Sequence, residues 1–397
     1  MPASPSMSGR STTTRTGDLD FGGGGAKVAL PRSERCSMRL TFVILAVVVS
    51  ANGSAQSSAL TCLADCSAYR ITGVRVATIG GESLGPIGAN VTRLVVDAQK
   101  RIFISDFSSP GMVLVFDSVG RPITSIGRVG SGPGEFREIV RLMVGRGDSV
   151  HVFGGDQRHS VISPTTLGVV RQEHWQSRWP SDIVPVGHGF IKANVEATPD
   201  GVGHPLHRVD SAGRLVKSFG GEDVVFTRAV SRRLGRLLAP DDSGGALSFR
   251  ALEYTIEAWS SSGTLTRAWT RAVPWFPTSS AAREVRDPSD GLAPLASGIV
   301  KDTGDLVWTS TLVLDRDWRS AITDIRSEGM QTHGISDPGR YFDTVIEVIS
   351  LRRNLVLASQ RFDQPLFLAT HGIGWYAYDN RARPIDIWKF SLARTQP

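Results

Sequence analysis

A recurring turn limits this chain's fold more than any other feature of its sequence. "VFDSVGRPITSIG" (115–127) returns as "RVDSAGRLVKSFG" (208–220) and "AWSSSGTLTRAWT" (258–270), with a looser copy in "VISPTTLGVVRQE" (161–173). The turn glycines Gly120, Gly168, Gly213 and Gly263 are 48, 45 and 50 residues apart. Glycine supplies the positive φ that a tight hairpin requires, so each copy predicts a turn between two antiparallel strands. A period of about 40–50 residues with four strands in each copy is the length of one propeller blade.

The stretch 93–128, "RLVVDAQKRIFISDFSSPGMVLVFDSVGRPITSIGR", reads as one such unit. Its strands run Leu94 to Val96, Ile102 to Ser105, Met112 to Phe116 and Ile123 to Ile126. β-Branched and aromatic runs of this kind, with 42 glycines and 21 prolines and no sustained 3.6-residue apolar period, favour strands throughout. Further blades follow at 139–175, 182–219 and 234–270, and a longer one at 297–362 carries an inserted loop at 315–340. The last, from "PLFLATHGIGWYAYDN" to "PIDIWKFSLA", holds only three strands and would leave an open edge. The segment 69–81, "YRITGVRVATIGG", ends like an outer strand and supplies the fourth. The predicted fold is therefore all-β: a six-bladed β-propeller of four-stranded antiparallel blades over 69–393, its ring closed by an N-terminal strand.

"GRVGSGPGEF" (127–136) falls where the chain must return from the rim of blade one to the hub of blade two. Gly130, Gly132 and Gly134 are expected to allow a tight, partly left-handed path, and Phe136 to pack between blades. A phosphate-binding loop would instead lead into a helix carrying Lys and Ser or Thr, and none follows.

Ahead of the repeats, residues 1–37 are polar and glycine-rich and read as a disordered leader or an over-long gene start. Residues 38–55 have the pattern of a secretory signal: Arg39, an apolar run from Leu40 to Val49, then Gly53, Ser54 and Ala55. The run is too short for a transmembrane anchor. Residues 56–68 read as a short linker in which Cys62 and Cys66 close a small disulfide loop, as an oxidising, secreted or periplasmic setting allows. The net charge of +6 falls once residues 1–55 are set aside, leaving 38 basic against 35 acidic side chains. The short "SRRLGR" cluster (231–236) has no interleaved aromatics, so the sequence offers no nucleic-acid surface.

The set "LVVDAQKRIFISD", "VLVFDSVG" and "IGRVGSGPGEF" resembles the bacterial exported six-bladed β-propeller proteins related to NHL repeats, most strongly over residues 91–140. The resemblance implies a secreted or periplasmic binding scaffold that presents loops around a funnel, without catalysis of its own. Its ligand would be a glycan, a peptide or an envelope protein, with no cofactor.

Within that reading, Asp106, Asp156 and Asp379 end second strands and would ring one mouth of the channel. Trp175 and Trp308, with Trp179 and Trp318, would offer stacking faces. Propeller lactonases and amidating lyases of the same fold hold metal around the axis, so the alternative is a metal-dependent hydrolase or lyase with calcium or zinc at Asp97, His188, Asn194 and His371. The pair in "HPLH" (204–207) is expected in a loop and lacks the companions of a zinc site.

Overall fold

The computed structural model describes residues 56–63, 65–79, 91–106, 111–197, 203–221, 234–276, 287–327, 330–370, 373–377 and 385–395. Among these, six blade sheets and one separate hairpin form. Blade I pairs Val91–Val96, Ile102–Asp106, Val113–Phe116 and Pro122–Ile126 in chain order. Blades II (Ile139–His174), III (Asp182–Phe219) and IV (Arg236–Thr270) repeat the meander. Blade V uses Leu295–Lys301, Leu306–Leu314, Phe342–Ser350 and Leu355–Phe362. Its insertion is not a bare loop. It carries the hairpin Ile322–Ser327/Met330–Ile335 and a short helix, Pro338–Tyr341, over a small core of Trp318, Ala321 and Tyr341.

Blade VI closes as the open edge required. Phe367–Thr370, Ile373–Ala377 and Ile385–Arg394 are joined by Tyr69–Ile79, which pairs antiparallel with the last strand. One half of this closing strand packs by Ala77 and Ile79 against Leu94, Ile102 and Phe116 of blade I. The other half packs by Ile71 with Trp308 and Val348 of blade V. Burying each apolar side chain contributes roughly 1.5–3 kcal/mol, so one strand supports both its neighbours.

The expected linker at 56–68 proves to be part of the fold. Gln56–Ala59 adds a parallel strand to the outer edge of blade IV, and Thr61–Cys62 does the same on blade V. Leu60 between them is buried with Phe249, Ile256 and Val356. An outer edge exposes unpaired N–H and C=O groups, and the segment covers two such edges before it reaches blade VI.

The repeated turn works through two residues rather than one. Gly120, Gly213 and Gly263 have φ of 81°, 80° and 74°. Asp117 Oδ1 accepts from the N–H groups of Val119 (3.0 Å) and Arg121 (2.8 Å), and Asp210 Oδ1 accepts likewise from Ala212 and Arg214 (2.9 Å each). The looser copy departs from the expectation. Its left-handed residue is Leu167 (φ 53°) rather than Gly168, because Leu167 N–H bonds Ser163 C=O (3.0 Å) and widens the turn.

The blade I–II junction is likewise built differently from the expectation. Gly134 (φ 72°) and Gly127 (φ 88°) take the left-handed path, whereas Gly130 and Gly132 make room for Glu135. A Cβ on Gly130 would lie 2.1 Å from Glu135 Oε2. Glu135 accepts from Gly132 N–H (2.7 Å) and Arg128 Nε (2.7 Å), and Phe136, 2% exposed, fills the seam with Ile126 and Ile139.

Candidate functional site

Inner strands of the blades line a channel, because each blade starts at the hub and runs outward. The channel has two chambers. The upper, about 250 Å³, is walled by Leu94, Leu238, Ile299, Leu312 and Leu368, with Ser181 and Ser297 as polar points. The lower, about 680 Å³, opens among the turns that join first to second strands in blades I, II and V. Val95, Arg141, Leu142, Asp182, Leu238 and Ala369 line both and form the waist between them, with Arg141 and Asp182 its charged members.

That waist is held across three blades. Arg141 of blade II pairs with Asp182 of blade III, whose carboxylate also accepts from Ile183 N–H (2.8 Å) and from Leu238 N–H of blade IV (2.9 Å). Asp182 is 4% exposed, so its charge is tolerated only because each oxygen has a donor. The Nε of Arg141 is buried with no hydrogen-bond partner among the described residues.

At the lower mouth the acidic side chains are committed to the frame. Asp97 accepts from Arg101 N–H (2.8 Å) and Nε (2.6 Å), and Asp148 accepts from Ala98 N–H (2.7 Å), tying the turns of blades I and II together. Asp302 accepts from Thr303 N–H (2.7 Å) and Trp308 Nε1 (2.9 Å). Lys100 and Arg146, carried by those tied turns, line the same mouth, are exposed, and form no ion pair among the described residues. The walls below them, Val95, Leu142, Val184, Leu238 and Ala369, are apolar. The arrangement can receive an anion with an apolar body.

The residues expected to hold a metal are not brought together. Asp97 is spent on Arg101, and His188 sits exposed in the turn between Val186 and Gly189. Asn194 lies five residues along the strand Gly189–Ala197, roughly 17 Å from that turn at about 3.3 Å per residue, and donates to Trp179 C=O (3.3 Å) and Glu196 (3.3 Å). His371 lies outside the described residues. Among the described residues no group of three or more His, Cys, Asp or Glu is placed to hold a metal ion.

The expected carboxylate ring and aromatic faces change as well. Asp156 pairs with Arg158 (3.3 Å) and lines a separate recess of about 560 Å³ beside the blade I–II junction, with Ser131, Arg137 and Gln172. The side chain of Asp106 and the whole of Asp379 lie outside the described residues. Trp175 (1% exposed) and Trp308 (3%) are core, because blades stack face to face and large rings fill the gap. Trp175 packs with Phe153 and Phe190, and a Cβ on Gly213 would meet its ring at 2.5 Å. Trp318 belongs to the core of the blade V insertion, while Trp179 stays exposed. The "HPLH" pair lies on the strand Gly203–Val209, not in a loop; His207 bonds Ser218 Oγ (2.9 Å) and Asn194 C=O (2.8 Å).

Sequence reasoning missed a buried polar line through blade II. Ser149 Oγ contacts His151 Nε2 (3.2 Å), His151 Nδ1 contacts His159 Nε2 (2.8 Å), and His159 Nδ1 contacts Glu173 (3.1 Å). Burial lowers His151 from 6.5 to about 3, with His159 and Arg171 adding to it, and lowers His159 to about 4 with Arg171 adding. Both rings are therefore neutral at pH 7. The signal was in "SVHVF" and "RHSVI": these strands pair with His159 opposite Phe153 and His151 opposite Val161, so the two histidines share a face. Blade III buries Lys192 in a comparable place, where Nζ donates to Glu196 (2.7 Å) and Arg178 C=O (3.1 Å) while burial lowers its pKa.

Comparison with known proteins bears on the fold. Residues 89–154 match the model of the family DUF5128, described as a 6-bladed beta-propeller. A Bacteroides fragilis protein inferred to be exported superposes with a TM-score of 0.52 at 10% identity, covering 85% of this chain and 99% of that one. A member of the duf4221 family from Bacteroides vulgatus gives 0.56 at 8% identity, covering 83% and 100%. Among curated proteins none matches this sequence. The expected resemblance to six-bladed propellers is met, and these likenesses speak to the fold alone.

Proposed function

We propose that this chain is an exported binding scaffold whose ligand enters the lower mouth of the channel, and that the ligand is an organic anion with an apolar body. The observation that carries the reading is the division of charge at that mouth: Asp97, Asp148, Asp182 and Asp302 are spent on backbone and arginine donors, while Lys100 and Arg146 are not. A chamber with apolar walls whose two exposed rim cations, Lys100 and Arg146, carry no ion pair among the described residues offers a negative group its partners there. Export is supported by the signal-like residues 38–55, by the disulfide of Cys62 and Cys66, and by the inferred export of the Bacteroides fragilis propeller. Among the described residues no helix is long and apolar enough to cross a membrane. The metal-dependent hydrolase or lyase gains no support from the placement of Asp97, His188 and Asn194.

Calorimetric titration with octanoate, inorganic phosphate and neutral octanamide tests the reading. Octanoate should bind best, and the double variant Lys100→Ala/Arg146→Ala should weaken it about tenfold, or roughly 1.4 kcal/mol, with unchanged melting. Equal binding of octanamide, or an indifferent double variant, would refute the anionic assignment.

A further inference from the structure

The strap that crosses blades IV and V carries a disulfide in an unusual electrostatic setting. Cys62 and Cys66 are bonded to each other. Cys62, at the end of the edge strand Thr61–Cys62, is exposed, whereas Cys66 is 6% exposed and packs into the core of blades IV and V. The guanidinium of Arg271 reaches both sulfurs, with Nη2 3.3 Å from Cys62 Sγ and 3.2 Å from Cys66 Sγ. Arg271 is itself held in place by Glu347, to which Tyr254 also donates. Asp65 (φ 52°) and Cys66 (φ 62°) are two successive non-glycine residues in the left-handed region, a conformation that side chains avoid.

These features divide the two sulfurs into different roles. Thiol–disulfide exchange needs an accessible sulfur to attack and a leaving sulfur that is stable as a thiolate. Access selects Cys62. A charge-assisted N–H···S⁻ bond from Arg271 stabilises the thiolate left on Cys66, against the opposing effect of its burial.

We propose that Cys62–Cys66 is a thiol-exchange site, in which an external thiolate attacks Cys62 Sγ and expels Cys66 as a thiolate held by Arg271. In this step the new S–S bond forms between the incoming sulfur and Cys62, and the bonding pair of the old one departs on Cys66. A second external thiol then attacks the mixed disulfide, so the external pair is oxidised by two electrons and both cysteines are reduced. The chemical class of the partner is a thiol or dithiol. Opening the bond lets Asp65 and Cys66 leave the left-handed region, while Leu63 N–H to Val356 C=O (3.0 Å) and Ser359 N–H to Cys66 C=O (3.2 Å) keep both ends of the loop on blade V. The inference is independent of the ligand proposed for the channel.

The test uses the full chain with reduced glutathione, quenched by acid, alkylated and mapped by fragmentation mass spectrometry; Cys36 separates on its own tryptic peptide. The expected adduct is on Cys62, with alkylated Cys66, formed about tenfold faster than on the same chain unfolded in urea. An adduct on Cys66, or exchange no faster than in the unfolded chain, would overturn the proposal. Arg271→Gln/Glu347→Gln removes the guanidinium without stranding a buried carboxylate and should slow exchange about tenfold, while Arg271→Lys should lose less. A folded double variant that exchanges at the parent rate would also overturn it, and the adduct position in the parent chain decides the matter if the variant does not fold.

Discussion

Two seams of the ring solve the same packing problem by opposite means. Between blades I and II, the ten consecutive residues 127–136 supply the turn glycines, the Glu135 brace and the Phe136 wedge. Between blades VI and I, the contact is made by Tyr69–Ile79, which pairs with Ile385–Arg394 from the other end of the chain. The first seam is local and costs little loop-closure entropy; the second joins segments about 300 residues apart and must form against a larger entropic cost. The ring can therefore be expected to fail first where its chain connection is longest.

The largest effect should come from the non-local seam. Deleting residues 69–79 leaves the outer edge of Ile385–Arg394 unpaired, removes Ala77 and Ile79 from the core and uncovers Leu94 and Ile387, so the cooperative thermal transition should disappear. A deletion chain that melts like the parent would show that the closing strand is dispensable.

At the local seam, Phe136→Ala should cost about 3–5 kcal/mol, the range for removing a buried phenyl ring, and lower the denaturation midpoint without loss of cooperativity. A smaller loss, near 1 kcal/mol, would mean that the blades can close over the vacancy.

The seam between blades II and III sharpens the comparison, because there a polar line lies beside Phe190 and Trp175. The folded-state values of His151 and His159 lie below the ordinary 6.5, so the native state holds fewer protons than the unfolded chain. Their contribution is complete above about pH 6.5 and is lost as pH falls through about 4 and then about 3, with roughly 3 kcal/mol at stake for His159. Denaturation followed from pH 7 to pH 4 should show stability falling, and His159→Gln, which cannot charge, should flatten that slope. An equal slope in the variant would place the acid sensitivity elsewhere.

Much of the fold was legible because it is written in local chemistry. Asp117, Gly120 and Arg121 specify a turn within five residues, and its return at Asp210 and Gly213 reveals the blade length. The need for a fourth strand in blade VI follows from counting edges. Legibility failed where a residue's role depends on its neighbours around the ring. Trp175 and Trp308 have the same side chain as an exposed stacking platform, and only the stacking of adjacent blades decides that both are core. The strap at 56–68 looked like a linker because parallel edge pairing leaves no periodic mark in four residues.

The sequence by itself determined the repeat, the strand and turn chemistry, the number of blades and the segment that closes the ring, since each rests on contacts between near neighbours or on a count of hydrogen-bonding edges. Tertiary structure alone decided which charges are spent and which are free. Arg141, Asp182 and Leu238 come from three blades, and Arg271 meets Cys62 and Cys66 across 205 or more positions of chain. Electrostatic interaction depends on distance and burial, and neither is fixed until the ring has closed.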